Sequence, residues 1–410
     1  MMSPIIFNAA DAKSLRSWLL EQVCPFWAAR IVDPRGGFFE GLHASGEVAA
    51  SGRRSVLNQA RLTYVFSHAY LLGKALGKAP VMLEAAAHGF EHLQGWQGTA
   101  DGGWARARGS EGECIDAACD AYDHAFVIFA AAWHYSATQN TDAIRMADAA
   151  FDFMRSHLAD GRGGGFFEEY PDIGRLPRRQ NPHMHLLEAT LAMFFATHEA
   201  KWLARSRAIV DLFEEYFFDH ASGSLGEFFK ADWSPAGAPA GELREPGHQF
   251  EWVWLLAQYQ RASGDQRAQT MADRLFKFGN TFGRDLKEPL QGMAFDALDR
   301  SGCVTAETKL FWPQTEFIKA CVTRVDAGHS AAMEDIDAHL GRLRAHYVRP
   351  DGANWCNQLA RAGEPIADET PARVLYHLFL AVAEVVRVKE RTEAGDATRD
   401  NGRAQSVEAA

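Results

Sequence analysis

The sequence predicts an all-α fold, a closed toroid of six helical hairpins or (α/α)6 barrel with short β-strands in the loops at one end. Three observations predict it: a loop signature that recurs six times, two helical patterns between successive copies, and no polar capping repeat at either end. The loops read PRGGFFEGL (34–42), ADGGWARA (100–107), GRGGGFFEEY (161–170), GSLGEFFK (223–230), LQGMAFDAL (290–298) and PDGANWCNQL (350–359). Between Gly37, Gly103, Gly165, Gly226, Gly292 and Gly352 the steps are 66, 62, 61, 66 and 60 residues. Each copy is Gly-rich and runs into aromatic or alternating residues, the pattern of a tight turn entering a short strand.

Apolar residues at helical spacing fill the intervals. A first helix is expected near 11–30, then pairs at 55–76 with 81–94, 118–138 with 141–158, 182–199 with 202–218, 247–263 with 265–283 and 309–325 with 330–347, and a last helix at 371–389. Pro182, Pro246, Pro313 and Pro371 lie at or near the starts of four post-loop helices, where a missing N–H costs nothing. Ring closure places the helix after each loop inside and the helix before it outside. Residues 1–389 are thus expected to form a single catalytic domain, and 390–410 a solvated, flexible tail. A length of 410 residues alone suggests two or three domains; the repeat overrides that prior.

Composition narrows the class. With 47% apolar and 23% charged residues the chain is an ordinary globular one. A net charge of −11 argues against nucleic acid or an anionic membrane as partner, since both need clustered Lys and Arg. No apolar run is long enough for a membrane span, and MMSPIIFNAADAK lacks the basic start and apolar core of a leader. The six cysteines are scattered, and Cys114 and Cys119 lack CxxC spacing, so reduced thiols and a cytoplasmic location are expected. The chain is expected to act as a monomer or homodimer on a small molecule.

All six inner-helix N-termini should open at one end, and the polar residues crowd there: Asn58 and Arg61; Asp120, Asp123 and His124; His185 and Glu188; His248 and Glu251; Lys309, Trp312, Gln314 and Glu316; Arg373 and His377. An ordinary buried face would carry Leu, Val and Ala, because an unpaired buried charge is costly. Opposite charges converging beside tryptophan on a concave end suit a carbohydrate. His43, His68, His88, His92, His134, His157 and His220 are read as structural. Asp120, Asp123 and His124 are read either as caps or as site residues. Glu188, Glu251 and Glu316 keep the alternative of pairing with arginines across the ring. The lone HxH of His183 and His185 is too little for zinc, and the two side chains project about 200° apart on a helix.

The segments NQARLTYVFSHAY (58–70), YDHAFVIFA (122–130), NPHMHLLEATL (181–191), PGHQFEWVWLL (246–256), KLFWPQTEFIKA (309–320) and YHLFLA (376–381) resemble the N-acylglucosamine 2-epimerase superfamily. That superfamily includes N-acylglucosamine and cellobiose 2-epimerases, mannose isomerases and sulfoquinovose/mannose isomerases, and the isomerase branch is the nearer in style. The resemblance implies an (α/α)6-barrel enzyme without metal or cofactor that moves a proton at C2 of an open-chain sugar. It implies His248 and His377 as the acid/base pair. Arg61 and His185 would hold sugar oxygens, Glu251 would tune His248, and Glu188, Trp312, Gln314 and Glu316 would complete the substrate-binding wall.

The chemistry asks for the same residue types. Removing a proton alpha to an aldehyde leaves a cis-enediol(ate), so a base with a pKa near working pH is needed, and histidine fits. Charge then builds on O1 and O2, where arginine or a protonated histidine stabilises it. Return of the proton to C1 gives a ketose, with mannose to fructose the leading reading; return to the opposite face of C2 gives the epimer of an N-acylglucosamine, cellobiose or mannose. Isomerisation of a phosphosugar stays open, but apart from Lys309 and Arg373 the pocket candidates offer few cations for a phosphate. A glycoside hydrolase using Glu251 and Glu316, or a sugar-binding protein on the same barrel, is the reading from another class.

Overall fold

Two helices show how the sequence sorts inside from outside. In α10 (Gln266–Phe282) the buried residues are Ala268, Met271, Ala272, Leu275, Phe278 and Gly279, one stripe at i, i+3, i+4 spacing, so the opposite side meets water. In α5 (Ala121–Thr138) burial runs unbroken from Asp123 to Ala132, which only a helix surrounded by others can satisfy. The computed structural model describes residues 7–49, 51–74, 80–97 and 101–408, with side chains described through residue 394.

The inner ring consists of α3 (Val56–Gly73), α5, α7 (Asn181–Thr197), α9 (Pro246–Ser263), α11 (Phe311–Asp326) and α13 (Leu375–Glu408), each packed on the next, with α13 returning to α3. Outside lie α4 (Pro80–Trp96), α6 (Thr141–Phe153), α8 (Ala200–Leu212), α10 and α12 (Ala332–His346), each against the inner helix before it. The sixth outer position is held by α1 (Ala12–Ser17), continued through a π-helical turn at Trp18–Val23 into α2 (Cys24–Ile31); α1 packs on α13. The ring is closed by backbone as well. Gly41–Leu42 pairs antiparallel with Thr370–Pro371, and a Cβ on Gly41 would lie 2.7 Å from the Thr370 carbonyl oxygen, so the closing strand needs glycine there.

Every signature loop folds the same way. Antiparallel bridges join Val32 to Phe38, Gln97 to Trp104, Ala159 to Phe166, Phe218 to Leu225, Arg284 to Ala294 and Val348 to Trp355. The expected helices are present, several with shifted starts: α5 begins at Ala121, not 118, because Cys119–Asp120 pairs with Glu169–Tyr170. α11 begins at Phe311 because Lys309–Leu310 pairs with Gln358–Leu359, and α13 begins at Leu375 because Pro371 belongs to the closing strand. Pro182 and Pro246 occupy the first turns of α7 and α9.

The segment expected to be a tail from residue 390 is instead helical, continuing α13 to Glu408. Its first residues are anchored: Glu390 pairs with Arg16 at 2.8 Å and Arg391 with Asp326 at 2.7 Å. All six cysteines are free. Among the described residues no helix is long and apolar enough to cross a membrane.

Candidate active site

At the loop end, five inner helices carry a Gln or His in their first turns that reaches outward and accepts the N–H of the bridge residue. Gln59 takes Phe38 N at 2.7 Å, His124 takes Trp104 N at 3.2 Å, His183 takes Phe166 N at 2.9 Å, Gln249 takes Leu225 N at 2.8 Å and Gln314 takes Ala294 N at 2.7 Å. This clamp satisfies a buried donor that the short bridge leaves over. Gln314 was expected to line the sugar site; it is a clamp, with both ends of its amide on backbone of residues 294 and 310. His183 is one too, and Gly165 at φ +71° fits beneath it, since a Cβ there would meet its Nε2 at 2.6 Å. His183→Ala is expected to lower stability by about 1–3 kcal/mol, through the orphaned Phe166 amide, and to leave KM unchanged; denaturant melts and steady-state kinetics check this.

Two residues beyond each clamp, about 200° round the helix, the side chain turns into the ring. Those positions are Arg61, Phe126, His185, Glu251 and Glu316. The Arg61 guanidinium donates to the Tyr122 hydroxyl at 2.7 Å and to the Arg373 carbonyl at 3.4 Å, and lies over the Phe126 and Tyr376 rings. It has no carboxylate partner within ion-pair distance among the described residues, and its Nε is buried without an acceptor. Such a group is built to receive an oxygen from a ligand.

His248 and His377 flank Trp312, with ring centroids 4.9 and 5.6 Å from it. His248 Nδ1 lies 2.9 Å from Glu227 and 3.4 Å from Glu245. Burial pulls the His248 pKa down, but the carboxylates of Glu227 and Glu245 outweigh it and take it up to about 10. His377 Nδ1 lies 2.7 Å from Glu316. Its pKa goes the other way, well below the usual value, through burial and the positive charge of Arg61 and Lys319. The two imidazoles are thus pushed in opposite directions, His248 toward the charged form and His377 toward the neutral one. In each, the Nδ1 contact leaves Nε2 for a substrate.

Below them is a buried charge layer. His185 Nδ1 meets Glu188 at 3.1 Å, and Glu188 accepts from the Tyr376 hydroxyl at 2.6 Å. Burial takes the His185 pKa down to about 3, so it is neutral. Lys319, fully buried, lies 2.6 Å from Glu316 and 3.9 Å from Glu251. The resemblance implies that Glu251 tunes His248; its nearest partners are Lys319 and, at 4.0 Å, the neutral His185, and its charge adds only the smaller part of the upward pull on His248, which Glu227 and Glu245 contact directly. No arginine pairs with Glu188, Glu251 or Glu316 among the described residues; the cation they share is Lys319.

Other expectations resolve plainly. Asp120 caps α5 through Tyr122 N and pairs with Arg106 and Arg179, and His124 is a clamp, so both are structural. Asn58 donates to the Phe39 carbonyl. Lys309 is sealed against Asp285 at 3.0 Å and is not offered to a ligand, whereas the Arg373 side chain is exposed. Glu227, Glu245, Lys319, Tyr122 and Tyr376 join the candidate site although no motif in the sequence marks them. Among the described residues three groups could hold a metal ion: His185, Glu188 and Glu251; Glu227, Glu245 and His248; Glu251, Glu316 and His377. The first and third surround Lys319, whose ammonium already supplies positive charge there.

Residues 37–381 match the family described as N-acylglucosamine 2-epimerase (GlcNAc 2-epimerase). The chain is similar to a mannose-6-phosphate isomerase of Rhizobium meliloti (strain 1021), 32% identical over 384 residues that cover 92% of this chain and 96% of that one. It is similar to a D-mannose isomerase of Marinomonas mediterranea, 25% identical over 77% of this chain and 81% of that one. A crystal structure of D-mannose isomerase superposes with a TM-score of 0.82 at 22% identity, covering 92% and 98% of the two chains.

Proposed function

The chain belongs to the N-acylglucosamine 2-epimerase family, and we propose that within it the protein is an aldose–ketose isomerase that interconverts D-mannose and D-fructose without a metal. The observation that carries the reading is the histidine pair: His248 and His377 face each other across Trp312, held in opposite protonation states at neutral pH. Environments that push two titratable groups apart assign the acid and the base. The similarity to mannose isomerases and a mannose-6-phosphate isomerase supports the substrate class.

On this reading an open-chain aldose lies with C2–H toward His377 Nε2 and O1 toward His248 and Arg61. His377 takes the C2 proton. The C–H electron pair forms the C1=C2 double bond, the carbonyl pair moves to O1, and O1 takes a proton from His248 to give the cis-enediol. In the second half His248 removes the O2 proton and C2=O2 forms. The C1=C2 pair then takes the proton from His377 at C1. Both histidines return to their starting states, and the product is the ketose. A single base acting on one face favours C1 return over epimerisation, which needs a second base on the other face.

The pH profile follows from the two shifts. His248 carries its proton at every pH below about 10, and His377 is free of its proton throughout the neutral range. Thus kcat/KM is expected to be flat from neutrality upward and to fall as pH rises through about 10. Glu227→Gln removes a carboxylate that holds the His248 proton, so it should move that alkaline limb down by about one to three pH units.

The direct test is incubation in D2O with mannose, glucose, N-acetylmannosamine, cellobiose and mannose 6-phosphate, followed by NMR. Fructose from mannose with deuterium at C1 is the expected result, and activity should survive EDTA. Glucose from mannose without ketose would replace the reading with a 2-epimerase. No product from any sugar would overturn it, and loss of activity in EDTA would overturn the metal-free chemistry.

A further inference from the structure

At the end of the barrel away from the signature loops, the C-terminal parts of α3, α5, α7 and α9 and residues 380–390 of α13 enclose a cavity of about 520 Å³. His248, His377, Arg61 and Trp312 do not line it; of the charge layer only Glu188 reaches its wall. The cavity is therefore a separate chamber behind the layer that carries the sugar chemistry. Its size is that of a small-molecule site.

The walls are mostly apolar. The His68 and Trp133 rings stack at 3.9 Å, and Phe129, Leu191, Phe195 and Leu380 continue the surface. Burial keeps His68 uncharged, with its pKa taken down to about 3. Ser136 and Glu188 on the wall are bonded within the protein, but three other polar groups have no protein hydrogen bond or ion pair among the described residues. Gln258 is 8% exposed, and its amide makes no hydrogen bond among the described residues. Trp133 Nε1 is fully covered and has no acceptor. Arg261, one turn beyond Gln258 on the same face of α9, rests its guanidinium against the Phe195 ring and has no carboxylate partner among the described residues. The acids at the rim are already matched: Glu384 to Arg387 at 2.9 Å and Glu390 to Arg16 at 2.8 Å. An amide that opens on a mostly apolar cavity and an unpaired guanidinium at its mouth together offer donors to an anion.

We propose that this rear cavity is a second small-molecule site, which binds a monocarboxylate with an aromatic or aliphatic body. The body lies against Trp133, Phe129 and Leu191, and the carboxylate accepts from Arg261 and Gln258. The site does not depend on which sugar the loop end turns over.

Calorimetric titration of the full-length protein with 2-naphthoate tests it, with the neutral 2-naphthalenemethanol as comparison. Saturable binding of the carboxylate is expected, at least tenfold tighter than the alcohol. Arg261→Gln, at the exposed rim, should weaken it at least tenfold, and Ala192→Trp, whose indole would occupy the chamber, should abolish it. His248→Ala should leave it unchanged, since that residue lies beyond the charge layer. Absence of saturable binding at millimolar ligand would overturn the proposal. So would equal affinity for the alcohol, full binding by Arg261→Gln, or loss of binding in a folded His248→Ala. If Ala192→Trp fails to fold in thermal melts, the Arg261→Gln and alcohol comparisons decide alone.

Discussion

His377→Gln is expected to cut kcat by about 10²–10⁴-fold, with KM changed far less, because general acid–base transfer contributes on that scale. His377 is the group whose pKa burial and two nearby cations hold down, which makes it the base on the proposed reading. Gln keeps a hydrogen bond to Glu316 but takes no proton, so C2–H exchange with D2O should stop as well. His248→Gln should lose a similar factor by another route. On the proposed reading it removes the imidazolium that receives charge on O1, and with it the alkaline limb near pH 10. The two variants therefore differ in their pH profiles even where their rates match. If both keep substantial turnover while Glu251→Gln abolishes it, the proton-transfer chemistry is wrong and the carboxylates must be doing the work.

That contrast also shows what a sequence can display. The barrel was readable because six loops at steps of 60–66 residues leave little other arrangement, and the inner helices reveal themselves by being apolar on every side. Position alone does not single out His248 and His377, since His124 and His183 also stand in the first turns of apolar inner helices and are clamps; the resemblance of PGHQFE and YHL singles them out. Gln314 was misplaced for a geometric reason: it lies on the loop-facing side of α11, about 200° from Glu316, and only the clamp register with Gln59, His124, His183 and Gln249 separates the two roles. The sequence holds that register, since each clamp precedes its ring-facing residue by two.

Glu227 was hidden in the same way. Two residues after the bridge residue, Glu40, Glu168, Glu227 and Asp296 stand in one register, and each accepts a backbone N–H just before or at the start of the next inner helix. A carboxylate repeated four times reads as scaffold. Only in the fourth repeat does it also meet a histidine, because His248 stands one residue before its clamp while the same position is Asn58, Asp123, Pro182 and Pro313 elsewhere. A structural position was thus available to set a pKa, and one side chain in α9 converts it.

The other large effect is expected at Lys319. Lys319→Met replaces a fully buried ammonium by an apolar group of similar length, so what it removes is chiefly charge. Glu316 and Glu251 then share an apolar layer with Glu188 and no buried lysine, and breaking a buried pair from one side costs about 3–5 kcal/mol. That is a large share of a typical domain's stability. In the intact protein burial and Glu251 already raise the Glu316 pKa, with Lys319 opposing them; without the lysine it rises further. A carboxyl whose folded pKa lies above its unfolded one stabilises the fold where it is protonated, and loses that contribution as pH rises from the unfolded value through the folded one. Urea melts of Lys319→Met should therefore show a deficit that is smaller at pH 5 than at pH 8. Adding Glu316→Gln should recover part of it at pH 8, because the carboxylate left unpaired is then gone. A deficit that is the same at both pH values, and untouched by the second substitution, would mean that Lys319 acts by packing alone.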